Sequence, residues 1–444
     1  MNAPTPHIEL VKVKDLIPYK ANARTHSKKQ ISKLIRSMEE SGFTQPILID
    51  EGNIIIAGHG RQLAAEQLGL KLVPCIRFSN LSEDQKRSYR ISDNQIALES
   101  GWDLDLLAEE LSGLLDEGWD MSLTGFDQAD IDKILIDFED RNLNANSPDD
   151  SIPPVEPAGD AVTQPGDYWL LGNHALLCGN ARSSEDVKKL MNGERADMAF
   201  TDAPYNTRIQ GHVSGNGQVQ HREFVEASGE MTEAEYEAFL RETHDNLAAS
   251  CRDGAIAFSC IDWRHLSSLL AIGGMVFTEL KNICVWNKTN AGMGTFYRSQ
   301  HELVTVWKVG TAKHTNNFGL GEKGRHRSNV WTYAGVNSFR AGRMEELESH
   351  PTVKPVAMVA DAIRDVSHRG QIILDIFGGS GTTLIAAEKT GRKARLLELD
   401  PLYCDVIIRR WEKQTGKQAR FKATGRTFEE EAITRAAIGG EVLS

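Results

Sequence analysis

The sequence predicts an α/β fold: a mostly parallel sheet with helices on both faces, preceded by a smaller α+β unit. Three observations predict it. Beyond residue 166, near-continuous apolar runs alternate with helical stretches, as expected for strands covered on both sides. Before residue 98, shorter strand-like runs alternate with amphipathic helices. Between the two, NLNANSPDDSIPPVEPAGDAVTQPG, Asn142 to Gly166, is rich in Pro, Asp, Asn and Ser and almost free of periodic apolar residues, which marks a linker.

In the first unit, QISKLIRSMEESGF carries helical spacing at Ile31, Leu34, Ile35 and Met38. PILID and IIIAG read as strands, RQLAAEQLGL as a helix and LVPCIRF as another strand. Two acidic amphipathic helices follow, DLDLLAEELSGLLDEG and DQADIDKILIDFEDR. After the linker, YWLLGNHALLCG, ADMAFTDAPY, GAIAFSC, ELKNICVWNK, ELVTVWKV, QIILDIFGG and KARLLELD are strand-like, and EYEAFLRETHDNLAASC, PVAMVADAIRDVS, TTLIAAEKTG and YCDVIIRRWEKQTG are helical. The resulting division is an N-terminal domain at 1–98, an acidic helical extension at 99–141, a linker at 142–166, a main domain at 167–424 and a C-terminal tail at 425–444.

A chain of 444 residues calls for two or three cores, and 40% hydrophobic with 25% charged residues is ordinary for a globular protein. No apolar stretch is long enough to span a bilayer, and the start, MNAPTPHIELVKVKD, lacks the apolar core of a signal peptide, so a cytoplasmic protein without a membrane partner is expected. The six cysteines (Cys75, Cys178, Cys251, Cys260, Cys284 and Cys404) show no metal-ligand spacing and read as reduced, mostly core thiols. His301, His314 and His326 are too widely spaced for a metal site, and no metal is expected. A net charge of -12 argues against a protein that coats nucleic acid non-specifically. Charge is uneven, however: Lys281 to Arg343 holds ten basic residues against two acids, Glu302 and Glu322, interleaved with eight aromatics. Such a segment either follows a phosphate backbone and stacks on bases or forms a solvated basic surface around a small aromatic core.

Two stretches carry chemistry. In FTDAPYNTR, Pro204 fixes a turn after an apolar run, and Asp202 and Tyr205 flank it. In ILDIFGGSGTTLIAA, a strand ends at Asp375 and a turn with Gly378, Gly379 and Gly381 opens a helix at Thr382 and Thr383, where a ligand can approach the backbone closely. The turn is neither a P-loop nor a dinucleotide fingerprint, since no Lys follows and the glycine spacing differs. A second strand, KARLLELD, ends in Glu398 and Asp400, where an acid can accept hydrogen bonds from ribose hydroxyls. A nucleoside-type cofactor is the expectation.

DIFGGSGTT resembles the cofactor motif of S-adenosylmethionine-dependent DNA amino-methyltransferases, Asp-Pro-Phe-x-Gly-Ser-Gly-Thr-Thr, and DAPY resembles their catalytic Asp-Pro-Pro-Tyr. HPTVKP, His350 to Pro355, resembles the His-Pro-x-x-Lys-Pro segment ahead of the cofactor helix. Catalytic motif, basic region, HPTVKP and cofactor motif stand in the permuted order of the beta class, over roughly Gln164 to Gly416. Ile376 and Ala203 replace prolines of the two motifs, and Asn180 replaces a frequent Asp. Ile8 to Leu98 is similar to the ParB-like domain fused to phage and prophage methyltransferases, although Gly58, His59, Gly60 and Arg61 stand where ParB proteins have Gly-Glu-Arg-Arg.

The resemblance implies a Rossmann-like, mostly parallel seven-stranded sheet, S-adenosylmethionine as cofactor and double-stranded DNA as partner, with a homodimer left open. It implies methylation of adenine at N6 after base flipping, because Asp heads the catalytic motif; cytosine N4 is the alternative, and a ParB-like regulator with a degenerate methylase half is the alternative of another class. Asp202 and the carbonyl of Ala203 would accept the N–H groups of the amine, Pro204 would hold the turn and Tyr205 would stack on the base. Asp375, Phe377, Gly379, Gly381, Thr382, Glu398, Asp400 and Asn180 are the cofactor candidates. Lys354 would reach the cofactor's carboxylate or be a snorkelling surface lysine. The target-recognition region would fall at about 281–343, with Lys288, Arg298, Lys323, Arg325, Arg327, Arg340 and Arg343 as DNA contacts. Pro74 and Cys75 form the Pro-Cys pair used by cytosine-C5 enzymes, but a thiol in a strand-like run reads as core packing.

Overall fold

The computed structural model describes residues 7–144, 152–153, 161–207, 225–288, 296–319, 326–334 and 353–442. The chain divides into two compact units, Met1–Phe138 and Glu139–Ser444. No helix among the described residues is long and apolar enough to cross a membrane.

In the first unit, strands β1 (Ile8–Lys12), β2 (Ile47–Ile49), β3 (Ile55–Ala57) and β4 (Leu72–Arg77) form a sheet in the order β1-β4-β2-β3. Helices α1 (Lys28–Ser41), α2 (His59–Gln67), α3 (Glu83–Glu99), α4 (Leu104–Asp116) and α5 (Gln128–Asn144) complete the described elements up to the linker. The predicted spacing of α1 is realised: the Ser27 side chain accepts the Gln30 N–H at its start, Gly42 ends it, and Ile31 is buried. Ile47, Ile49, Ile55, Val73 and Cys75 make the core. Cys75 is therefore packing, and burial pushes its thiol up to about 11, away from nucleophilic chemistry. His59 and Arg61 serve their own unit: the His59 ring accepts the Tyr19 N–H at 3.2 Å, and Arg61 donates to Gln45 at 2.8 Å.

The second unit is built on β5 (Tyr168–Leu171), β6 (His174–Cys178), β7 (Ala196–Thr201), β8 (Cys251–Ile261), β9 (Glu279–Asn287), β10 (His301–Lys308), β11 (Val330–Thr332), β12 (Ile372–Asp375), β13 (Lys393–Glu398) and β14 (Arg420–Phe421). Their order is β11-β9-β10-β8-β7-β12-β13-β6-β5-β14. The seven strands from β9 to β6 form the expected sheet, parallel from β8 to β6, and the short β11, β5 and β14 widen it. Helices α6 (Ser184–Met191), α7 (Glu233–Ser250), α8 (Leu266–Val276), α9 (Val356–Val366), α10 (Thr382–Lys389), α11 (Pro401–Thr415) and α12 (Phe428–Val442) pack around it.

The apolar runs of the central strands feed two cores, one on each face. Met198, Phe200, Ile373 and Leu396 pack with Val359, Leu384 and Ile407 of α9, α10 and α11. Their neighbours Ala199, Leu374 and Leu397 point the other way, toward Val187 and Leu190 of α6 and Leu247 of α7. Both faces being buried, a polar residue within these strands is paired, as Asp197 is with Arg252 and Arg395 with Glu194, and others stand where the strands end. The pairing of β7 with β12 is the topological switch point: from β7 the chain crosses to β8 through α7, and from β12 it crosses to β13 on the other side through α10. The two connections diverge and leave a crevice at the carboxyl ends of β7 and β12.

The C-terminal segment folds back as α12. Arg435 donates to the Val162 carbonyl at 2.6 Å and pairs with Asp167, while Phe428 packs edge-on against Trp169. At the end of the linker, the Val162 and Thr163 N–H groups both donate to Asp405 of α11, at 2.7 and 3.0 Å.

Candidate active site

The turn after β7 is braced from outside. The Tyr236 hydroxyl of α7 donates to the Pro204 carbonyl at 3.0 Å, and Ala203, 4% exposed, packs with Tyr236, Phe239 and Leu240. Asn206 has a positive φ of 50° and ties the loop down: its Oδ1 accepts the Gly229 and Met231 N–H groups and its Nδ2 donates to the Met231 carbonyl. Within the turn, the Tyr205 hydroxyl donates to Asp202 Oδ1 at 2.7 Å. An acid and an aromatic ring are thus held on one short, rigid loop.

Across the switch point, the glycine turn after β12 is equally fixed. Asp375 accepts the Phe377 N–H at 3.0 Å and the Thr383 hydroxyl at 2.6 Å, so its two oxygens clamp both ends of the turn. Glu398 at the end of β13 accepts the Gly379 N–H through one oxygen at 2.7 Å and the Asp400 N–H through the other at 2.9 Å. A carboxylate offers about four lone-pair positions, and these two bonds leave acceptor capacity for the cavity that Glu398 lines. Gly381 caps α10 at φ 84°, and a Cβ there would stand 3.1 Å from Ile407 Cγ1. Burial pushes Asp375 up to about 8 and Glu398 up to about 7, the latter against the two backbone N–H groups.

Asp202, Ala203, Pro204, Tyr205, Asn180, Lys354, Asp375, Phe377, Gly379, Thr382, Glu398 and Asp400 all line one cavity at this crevice. Gly381 stands apart from that lining; its part is the turn beneath it. Asp400 is the N-cap of α11, accepting the Leu402 N–H at 3.0 Å. Asn180 accepts the Arg182 N–H at 2.8 Å.

Lys354 differs from expectation. At 5% exposure it is no snorkelling lysine, and its ammonium is engaged by carboxylates of the catalytic side: Asp202 Oδ2 at 2.5 Å and Glu302 Oε2 at 3.0 Å. The Tyr205 and Trp286 rings flank it, with centroids 5.7 and 5.8 Å away. Burial opposes the charge on Lys354, but Asp202 and Glu302 outweigh it and hold the ammonium protonated, above the usual lysine range. Burial likewise opposes ionisation of Glu302, and Lys354 with Lys288 overrides it, bringing that carboxyl down to about 2. The Tyr205 hydroxyl, pushed well above its usual value by burial and then by Asp202, stays a donor. Glu302 is the functional residue that motif reading missed. Its signal was compositional, one of only two acids in a basic stretch.

The DNA candidates separate. Lys288 bonds Glu302 at the edge of the site and lies over the Trp286 ring. Arg298 is exposed, next to Phe296 and Tyr297, which are 86% and 83% exposed. Arg327 is a correction: its guanidinium is anchored in the fold by Asp365 at 2.8 Å, with the Tyr333 hydroxyl at 3.2 Å and Asp361 at 3.5 Å, and is not presented to a ligand. Lys323, Arg325, Arg340 and Arg343 lie outside the described residues.

With this geometry in place, comparison with known proteins is decisive. A family model described as DNA methylase, of the N6/N4 type, matches residues 196–409, and the ParB N-terminal domain matches 2–95. The chain carries an N6/N4 DNA methylase domain, with a ParB domain at its N-terminus. A ParB-methyltransferase HTH domain model covers residues 105–165 of this methylase, the region of the acidic helices and linker. The ParB-like nuclease domain-containing protein YnaK of Escherichia coli is 49% identical over 75 residues, 17% of this chain and 86% of that protein. The type II methyltransferase M2.DpnII of Streptococcus pneumoniae is 25% identical over 235 residues, 50% of the chain and 85% of its own length. The DNA adenine methyltransferase YhdJ of Escherichia coli is 39% identical over 82 residues, 18% of this chain but only 26% of that protein. Among solved structures, PvuII DNA methyltransferase (cytosine-N4-specific) shares 14% identity at a TM-score of 0.41, covering 58% of this chain and 94% of its own. The methylase is a DNA methyltransferase.

Proposed function

We propose that this methylase transfers the methyl group of S-adenosylmethionine to the exocyclic N6 of an adenine flipped out of duplex DNA. The observation that carries the proposal is the convergence of Asp202 and Tyr205 from β7 with the glycine turn of β12 and Glu398 of β13 on one cavity. An amine conjugated to a base is a poor nucleophile, because its lone pair is delocalised into the ring. A carboxylate and a carbonyl accepting its N–H groups localise that density on nitrogen and orient it, the parts assigned to Asp202 and the backbone of Ala203. The Tyr205 ring, held by its bond to Asp202, offers a face for the base, whose extraction from the stack costs a few kcal/mol.

The cavity suits the cofactor. Glu398 retains acceptor capacity for ribose hydroxyls, and Phe377, tilted against Phe239 at 5.8 Å, gives an apolar wall. When bound, S-adenosylmethionine supplies a methyl group on a sulfonium, which leaves without metal or redox help. Lys354, kept protonated, is excluded as a base for the amine proton, and Asp202 is the acceptor nearest to hand.

Asp at the head of the motif favours adenine over cytosine by family resemblance. Modification-sensitive sequencing of DNA from cells expressing the protein, with nucleoside analysis of the same DNA, tests this. N6-methyladenine at a defined site is expected; N4-methylcytosine alone overturns the adenine assignment, and unmodified DNA overturns the activity.

A further inference from the structure

We propose that Glu302 is a positioning residue for the acceptor carboxylate: it offers the Lys354 ammonium a second anion, so that Asp202 is released to take the N–H of an incoming base amine. The proposal rests on the amine-methylating reading above. In the structure both oxygens of Asp202 are engaged, Oδ1 by the Tyr205 hydroxyl at 2.7 Å and Oδ2 by Lys354 at 2.5 Å. An ammonium is the stronger donor, and a neutral amine must compete with it for the same lone pairs. Lys354 has three N–H donors, and Glu302 Oε2 already accepts from it at 3.0 Å, so moving onto Glu302 needs a shift of one flexible side chain and no new ionisation.

Charge counting shows why the position matters. Lys354 and Lys288 face Asp202 and Glu302, two cations against two anions, with Glu302 Oε1 taken by Lys288. Glu302 is 9% exposed and stands at the start of β10, opposite Trp286 of β9. Without its charge, Lys354 keeps Asp202 as its carboxylate partner and masks the acceptor that the reaction needs. A merely structural role, pinning the β9–β10 pair through Lys288, makes a different prediction, because it does not depend on Lys354.

The test is a binding cycle that needs no turnover. Duplexes carrying the methylated site are bound in the presence of S-adenosylhomocysteine, with the target base intact or with its amine replaced by oxygen (hypoxanthine for adenine, uracil for cytosine). The affinity ratio reports the contact of the amine with Asp202. Glu302→Gln is expected to lower the ratio about tenfold, the effect of weakening one hydrogen bond to a charged group. In a Lys354→Gln background the same change is expected to matter less than about twofold. An unchanged ratio in Glu302→Gln, or an equal fall with and without Lys354, overturns the proposal. Either result, obtained while wild-type protein methylates DNA, refutes the role of Glu302 alone; wild-type protein that neither methylates nor discriminates refutes the underlying activity.

Discussion

If Glu398 accepts the ribose hydroxyls as proposed, cofactor affinity should depend on pH in a definite direction. In the ligand-free protein its carboxyl is pushed up to about 7 by burial, against the Asp400 and Gly379 N–H groups. A ribose donates two hydroxyls, and only the ionised carboxylate accepts both, so binding favours the charged form and expels a proton. With a free-protein value near 7 and an ionised complex, the apparent dissociation constant is raised about elevenfold at pH 6 and only about 1.1-fold at pH 8, by linkage. S-adenosylhomocysteine should therefore bind about tenfold more tightly at pH 8 than at pH 6, with close to one proton released at pH 6. Titration calorimetry in buffers of different ionisation enthalpy reads both quantities. Asp375, pushed up to about 8, titrates in the same window, but its oxygens serve Phe377 and Thr383, so Asp375→Asn should keep the slope and Glu398→Gln should remove it. An affinity flat from pH 6 to 8, or a slope that survives Glu398→Gln, refutes the assignment of Glu398 to the ribose.

Asp202→Ala should reduce methyl incorporation into duplex DNA by about a hundredfold or more while S-adenosylhomocysteine binding stays near wild type, as for loss of a preorganised acceptor; equal incorporation by both proteins removes this carboxylate from the chemistry. Arg327→Met should cost about 3 kcal/mol in urea unfolding, because it takes the cation away from the buried Asp365. Arg298→Ala should leave stability unchanged and shallow the dependence of log K on log salt by about one unit for DNA binding, the effect of one lost phosphate contact. Gly381→Ala should destabilise by about 2 kcal/mol, since it forces a side chain into the left-handed region and a Cβ to within 3.1 Å of Ile407, and a melting curve reads it.

The α/β frame was legible because both faces of the central strands are buried, which makes runs such as MAF in β7 and IIL in β12 continuously apolar. Both chemical motifs were legible for the complementary reason: polar residues displaced from such strands collect at their carboxyl ends, where Asp202, Asp375 and Glu398 stand. Elements that went unread are short or weakly patterned. β11 and β14 have three and two residues, and α12 contains Gly439 and Gly440 and is held by Arg435 reaching Val162 and Asp167, partners far away in sequence. Lys354 was found by its motif, but its partners Asp202 and Glu302 were not, because they are set by which carboxylates the sheet brings near, and motif spacing carries no such information.

The basic, aromatic segment shows where composition stops and register takes over. Its tryptophans have the bulk and β-propensity to enter strands, and Trp286, Trp307 and Trp331 do so, ending 3%, 2% and 4% exposed on β9, β10 and β11. Once these strands join the sheet, the charges between them are sorted by position. Arg327, preceding β11, meets the acids of α9; Lys288, just past β9, meets Glu302; Arg298, in the connection from β9 to β10, stays in solvent. The same sorting turns Glu302 from an exception in a basic stretch into the partner of Lys354. A charged residue on this hairpin thus meets solvent, a structural acid or the cavity's carboxylates according to the strand position it occupies. One hairpin therefore carries both an exposed cation, Arg298 in its connection, and a buried acid, Glu302 at the start of β10, which shares Lys354 with Asp202.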